Sequence, residues 1–227
     1  MESYLKEIRA DTSTSSISTD IIKPNKMDRK KFIFTSAFTV LGLSTFGSII
    51  RLPDGKFGGD CATTNDILGP FYRPAAPIRS DLTYKGLIGT KIKLKGKVYK
   101  PDCKTPQKDA LVEIWHCNTE GAYDNNSKDF NQRGCLITNE KGEYSFETIF
   151  PGKYLNGALY RPAHIHYRVT EENSKELISQ IYFKGDPNIE KDPWASKEKA
   201  ELRILQITPE DTNGNLVVNV NIYLVDK

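Results

Sequence analysis

The sequence predicts an all-β protein, a β-sandwich of about seven or more short strands with long loops over its site. Apolar and polar residues alternate in successive short runs from Lys91 to the C-terminus, and Gly-, Asn- and Pro-rich turns separate the runs. Helical periodicity is almost absent from the same region.

Lys91–Tyr99 alternates Ile92, Leu94 and Val98 against lysines, the period of a half-buried strand. Strands are expected next over 110–116, Glu143–Ile149, His164–Thr170, Leu177–Phe183, 202–207 and 216–225. In the last, Leu216, Val218, Val220, Ile222 and Leu224 share one face while Asn219 and Asn221 point outward. Turn chemistry divides these runs at Asn139-Glu140-Lys141-Gly142, Pro151-Gly152, Gly185-Asp186-Pro187-Asn188 and Asn213-Gly214-Asn215. Residues 194–200 are expected to form one short helix that Pro193 starts. Residues 117–135 lack periodicity, and a loop that long inside a compact domain is usually functional or mobile.

The 227 residues suit one domain with a leader. Eight of the 32 Lys/Arg and five of the 29 Asp/Glu fall in 1–51, which leaves 24 of each for the body. A neutral body without a basic tract offers no surface that tracks phosphates, so nucleic acid is not an expected partner. Arg29-Lys30-Lys31 precede an uncharged stretch at 32–50, the pattern of an export signal, with a degenerate twin-arginine look. That stretch is rich in Ser, Thr and Gly, which weakens it as a permanent span, and no clean cleavage site follows. Residues 1–51 are therefore read as a polar leader with an export signal or membrane anchor, Met27 being a candidate start, and 52–227 as the folded domain. The expected location is exported, periplasmic or at the cell surface. Cys61, Cys103, Cys117 and Cys135 form no C-x-x-C pair. They are expected as two disulfides in an exported protein, with three connectivities open, or as structural thiols in an internal one.

The chemistry rests on histidines and tyrosines. His164 and His166 stand at i and i+2 of a strand, so both face one side with Cα atoms roughly 6.6 Å apart, close enough to share a metal. Taken alone, the pair fits an ordinary polar strand face equally well. Tyr154 follows the Pro151-Gly152 turn and Tyr123 follows Gly121 in the long loop. Phenolate ligation calls for a hard, strongly Lewis-acidic ion such as ferric iron, whereas zinc and cuprous copper favour imidazole and thiolate.

Five stretches occur in order: Leu68-Gly69-Pro70-Phe71-Tyr72, Val112-Glu113-Ile114-Trp115-His116 with Gly121-Ala122-Tyr123, Gly142-Glu143-Tyr144-Ser145-Phe146 through Pro151-Gly152-Lys153-Tyr154, Arg161-Pro162-Ala163-His164-Ile165-His166, and Ser179-Gln180-Ile181-Tyr182-Phe183. Together they resemble the intradiol ring-cleavage dioxygenases, the group containing catechol and protocatechuate dioxygenases, from about residue 61 to the end. The resemblance implies one Fe(3+) per chain held by Tyr123, Tyr154, His164 and His166, with Tyr123 and His164 equatorial and Tyr154 and His166 axial. It makes Arg161 and Tyr154 catalytic, Tyr154 as a base and Arg161 beside the substrate, with Gln180 and Tyr72 toward the substrate. The implied reaction opens a small aromatic diol with O2, between its hydroxyl-bearing carbons, to a muconate-type dicarboxylate. Homo-oligomerisation and membrane association through the N-terminal segment are further expectations.

Three features depart from the best-known members. The Tyr154–His164 gap is shorter than in protocatechuate dioxygenase, which leaves Tyr160 as a competing ligand. The helical dimerisation segment of catechol dioxygenases has no counterpart before Cys61, and an export signal is unusual. His116 reads as a solvent-facing strand position, with a place behind the ligands of the site as the alternative. Arg73, Arg79 and Arg133 are unranked candidates for a substrate carboxylate, and hydroxyquinol and plain catechol are equally open. Two rival readings are an exported, non-catalytic binding module that keeps dioxygenase motifs and a zinc or copper site using the histidine pair alone.

Overall fold

The computed structural model describes residues 49–51, 57–59, 61–196, 200–209 and 216–227. Most of the leader and the apolar stretch expected as an export signal lie outside them. The strands are β1 (Ile49–Arg51), β2 (Phe57–Gly59), β3 (Lys91–Tyr99), β4 (Leu111–Trp115), β5 (Arg133–Ile137), β6 (Glu143–Ile149), β7 (Leu155–Asn156), β8 (Leu159–Tyr160), β9 (His164–Thr170), β10 (Leu177–Phe183), β11 (Ile204–Leu205), β12 (Thr208–Pro209), β13 (Leu216–Asn219) and β14 (Ile222–Tyr223). Among the described residues no helix is long and apolar enough to cross a membrane.

Two sheets form the sandwich. The first runs β11-β10-β9-β4-β5; in the second, β3 has β6 on one side and β13 and β14 on the other. Ile92, Leu94, Val98, Phe146, Val218 and Ile222 from the second sheet pack on Val112, Ile114, Ile165, Tyr167, Val169, Ile181 and Phe183 from the first. Each inward side chain is apolar because it alternates with an outward one. The C-terminal alternation holds as read, with Val218, Val220, Ile222 and Leu224 buried and Asn219 and Asn221 exposed. It is split into β13 and β14 because the Asn221 side chain, Oδ1, accepts the Lys97 N–H (3.2 Å).

Three expectations are corrected. The long loop ends earlier than expected, because Arg133–Ile137 pairs with β4 as an edge strand. No helix starts at 194: residues 193–196 form turns on Asp192, whose Oδ1 accepts the N–H groups of Trp194 (3.0 Å) and Ala195 (2.8 Å). A 3₁₀ turn, Ala200–Arg203, then replaces the first half of the strand expected over 202–207. Of the four cysteines, Cys61 and Cys103 form a disulfide, while Cys117 and Cys135 are buried thiols.

The irregular segment 61–82 does the most for the site. It starts at the disulfide and runs along the edge of β10, where Asp66 N–H donates to the Ile178 carbonyl (2.8 Å). It then crosses the outer face of the first sheet to β5, where Arg79 N–H donates to the Cys135 carbonyl (3.0 Å). It ends on β6 of the other sheet, Leu82 N–H on the Glu147 carbonyl (2.8 Å). This strap buries a sheet face that would otherwise meet solvent.

Candidate metal centre

Alternation along β9 sends Ile165, Tyr167 and Val169 into the core and His164 and His166 to the outer face under the strap. Register across the first sheet places Arg133, Trp115, His166 and Gln180 in one row, and His164 beside Tyr182. Both histidines are buried, at 0% and 1% exposure, which sets them apart from ordinary polar strand residues. Gly69 lies over His166: it has φ +75, and a Cβ there would stand 2.9 Å from His166 Cε1. Trp115 stacks flat against the same ring, with centroids 5.0 Å apart.

The two loop tyrosines converge on the pair. Tyr123 Oη lies 3.3 Å from His164 Nε2, and the Tyr154 ring is 5.6 Å from that of His164 and 5.7 Å from that of Tyr123. Gly121, at φ +84, permits this: a Cβ would meet the Lys153 carbonyl at 2.5 Å, so only glycine lets the Tyr123 loop lie against the Tyr154 turn. Phe71 of the strap stacks on Tyr123 (4.4 Å) and meets Tyr154 edge-on (5.7 Å). Tyr160 is not brought in; it is half exposed on the β7–β8 hairpin, beneath Lys153. Tyr154 is thus the phenol that accompanies the histidines.

Electrostatics favour neutral imidazoles. Burial, helped by the nearby Arg161 cation, pulls the His164 pKa from 6.5 to about 3, and burial with the His164 charge drives that of His166 well down. His164 Nδ1 donates to the Pro162 carbonyl (2.7 Å), so the Nε2 lone pair points at Tyr123. Burial, with Cys117 and Tyr154 nearby, raises the Tyr123 pKa well above the usual phenol, although Arg161 and Arg133 oppose it. Among the described residues no three His, Cys, Asp or Glu side chains form a metal cluster. The groups that converge with the imidazoles are the Tyr123 oxygen and the Tyr154 ring, phenols of a donor set that fits ferric iron and fits zinc or cuprous copper poorly. Clefts of about 280 and 290 Å³ open elsewhere on the sandwich, and neither is lined by these four residues.

Arg161 is fixed from three directions. Its Nε and Nη2 donate to Asp192 (2.7 and 3.2 Å), Nη2 also donates to Tyr182 Oη (3.1 Å), and its plane lies over Trp194 (4.4 Å). Tyr182 Oη in turn donates to Asp66, which pairs with Arg203. Gln180 lies across the strand pair from His166, its Nε2 on the Ile67 carbonyl (3.3 Å). Tyr72 is placed one row away, with Oη accepting from Arg168 (2.8 Å) and donating to Glu113 (3.3 Å), and Trp115 separates it from His166. Phe71, Trp115, Tyr182 and Asp192 are members of the site region that sequence reasoning did not single out. Phe71 and Trp115 stand within the recognised motifs and could have been found there; Asp192 has no local signal.

His116 is corrected as well. It is completely buried and reaches into the opposite sheet, Nε2 against Thr148 Oγ1 and Nδ1 against the Cys117 carbonyl, both at 2.7 Å. Burial lowers its pKa from 6.5 to about 4. The unfolded chain therefore binds a proton that the folded one excludes, and stability falls as pH drops from 6.5 toward 4. In His116→Gln the pH dependence of unfolding, read by denaturant titration across that window, should flatten by about 1.4 kcal/mol per pH unit.

The chain matches the family model described as Dioxygenase over residues 67–225. It is 32% identical to catechol 1,2-dioxygenase of Acinetobacter baylyi, over 71% of this chain and 60% of that one. It is 31% identical to chlorocatechol 1,2-dioxygenase of Rhodococcus opacus, over 70% of each. A catechol 1,2-dioxygenase of Candida albicans is 35% identical over 53% of this chain and 46% of its own length. The chain thus spans about half to six-tenths of the first of these relatives by rank. Among solved structures, the dioxygenase domain of a carbohydrate-binding fusion from Streptomyces sp. SirexAA-E superposes with a TM-score of 0.62 at 25% identity, covering 73% of this chain and 99% of that domain. The 3-chlorocatechol 1,2-dioxygenase of Rhodococcus opacus gives a TM-score of 0.65 at 22% identity, over 73% of each chain, which speaks for the fold alone.

Proposed function

Since the chain belongs to the intradiol ring-cleavage dioxygenase family, we propose that it opens the ring of a catechol-type diol with O2, giving a muconate-type dicarboxylate that keeps both oxygen atoms. The observation that carries this reading is the convergence of two buried neutral imidazoles with two phenols on one sheet face. Tyr123, Tyr154, His164 and His166 would hold one ferric ion. That ion, when bound, supplies Lewis acidity toward the diol oxygens and favours the ionised form of the phenols.

The chain's own residues do the rest. Tyr154 is half-buried with its ring 5.6 Å from that of His164, so its phenol, once ionised by the bound ion, would be the base that takes a diol proton. Arg161 stays protonated under the Asp192 hydrogen bonds despite burial, and it acts on the Tyr154 phenol. A guanidinium fixed by Asp192 and Trp194 suits stabilising charge on the ring during oxygen attack without reorganising. Phe71 closes the strap over both phenols and keeps water from that side. Gln180 and Tyr72 are the polar groups flanking this row, with Gln180 nearer the histidines. The Cys61–Cys103 disulfide supports placing the protein in an oxidising, exported compartment.

The purified full chain tests the reading through colour and gas uptake. It should carry about one iron per chain, absorb visible light through its phenolates, and consume one O2 per catechol with a dicarboxylate product. Iron-replete protein that is colourless and leaves every dihydroxybenzene intact would overturn it in favour of a binding module. A colourless zinc-loaded protein would point to a site made by the histidine pair alone.

A further inference from the structure

The two phenols of the candidate centre come from different sheets. Tyr123 follows β4 of the first sheet, and Tyr154 follows β6 of the second. Their rings nonetheless meet edge-on, with centroids 5.7 Å apart. Groups that converge on one ion while riding on separate sheets need a joint between their loops, because a misplacement of about 1 Å at a site is costly. Such a joint lies between residues 116–118 and 148–152. His116 Nε2 meets Thr148 Oγ1 (2.7 Å), the Cys117 thiol donates to the Gly152 carbonyl (3.2 Å), and the Gly152 N–H donates to the Asn118 carbonyl (2.9 Å).

Asn118 is the residue where this joint meets the Tyr123 loop. Its N–H donates to the Ala122 carbonyl (2.9 Å), and its carbonyl accepts from the Gly121 N–H (3.1 Å) as well as from Gly152. Its side-chain Oδ1 accepts the N–H groups of Glu120 (3.0 Å) and Ala122 (2.8 Å). The side chain thereby closes a turn that ends at Ala122, immediately before Tyr123. Both groups that donate to Oδ1 are backbone N–H groups, so the position calls for an acceptor and not for the amide's own N–H. The turn is pressed against the Tyr154 side. A Cβ on Gly152 would stand 2.3 Å from the Thr119 carbonyl, and one on Gly121 would stand 2.5 Å from the Lys153 carbonyl.

We infer that Asn118 is a positioning residue: its side chain holds the Tyr123 turn, its carbonyl fixes the Tyr154 turn on it, and together they set the spacing of the two phenols. This rests on the reading of those phenols as ligands and deepens it. Asn118 acts through backbone on both sides, so its effect falls on the geometry of the donor set. Groups that orient metal ligands from behind typically matter by about tenfold to a hundredfold in metal affinity.

The test titrates ferric citrate into the full-length, iron-free protein and follows the visible band. Asn118→Ala should weaken iron binding about tenfold and displace the band. Asn118→Asp, which restores an acceptor at the same place, should recover most of both. An alanine variant that binds iron as the wild type does, with the band in place, overturns the inference whatever its stability to denaturant, for the turn is then structural only. Equal losses in the alanine and aspartate variants overturn it too, because the acceptor is then not what matters. Should the alanine variant not fold, Asn118→Ser takes its place; a hydroxyl makes such turns more weakly, so it should fall short of the aspartate variant. A wild type that takes up ferric iron without a band sinks the ligand reading instead. Amide hydrogen exchange on the iron-free protein then decides whether Asn118 couples the two turns: Asn118→Ala should speed exchange about tenfold at Gly152 as well as at Ala122, and an unchanged Gly152 overturns the inference.

Discussion

His166→Ala should purify as folded protein with less than about a tenth of the wild-type iron, no visible band and oxygen uptake at background. Two features make this the more severe of the ligand substitutions. His166 is packed by Trp115 stacked on its ring and by the Gly69 turn of the strap close to its Cε1. It is also the more deeply seated donor, whereas Tyr154 is half-buried. Tyr154→Phe removes only an oxygen, leaves ring packing with Phe71 and Tyr123 intact, and should retain about half of the iron with turnover lowered about a hundredfold. Metal analysis, the visible spectrum and oxygen uptake check both. Equal iron and equal turnover in the two variants would contradict the assignment of these residues.

The same contrast marks what was legible in the sequence. Strands whose burial alternates with period two could be read directly, as in Lys91–Tyr99 and the C-terminal run, because each carries its environment in its own residues. The pairing of His164 with His166 was legible for that reason, and Tyr123 and Tyr154 through the motifs around them. The edge strand Arg133–Ile137 was not. Its Arg-Gly-Cys start carries no alternation, and only pairing with β4 extends it. The strap over residues 61–82 has no periodicity either. Its hydrogen bonds go to strands distant in the chain, so its role as a cover emerges only once both sheets are in place. His116 was misread because a polar residue at a strand end usually faces water, and its hydroxyl partner Thr148 comes from the other sheet. Tyr72 was reached through its motif alone, and its hydroxyl is engaged by Arg168 and Glu113 one row off.

Asp192 gives the second large effect, on stability and turnover together. Its carboxylate is buried and accepts from Arg161 Nε and Nη2, and from the N–H groups of Trp194 and Ala195. Burial alone would raise its pKa, but the Arg161 hydrogen bond and those backbone donors outweigh it and hold the carboxyl low. Asp192→Ala leaves the Arg161 charge buried and unpaired, which should cost about 3–5 kcal/mol of stability at pH 7. Asp192→Asn keeps acceptors for the guanidinium and should cost less. A carboxyl whose folded pKa is depressed stabilises at pH above its unfolded value and loses that contribution as pH falls through the folded one. The gap between wild type and Asp192→Asn in denaturant titrations should therefore be full at pH 7 and close below about pH 4. For turnover, Asp192 acts through Arg161, so the Asn variant should keep its iron and its visible band while kcat falls about tenfold or more and KM changes little. A purely structural carboxylate would lower the folded fraction without moving kcat per folded molecule. That separation ties the ion pair to turnover, because the guanidinium it orients acts on the Tyr154 phenol.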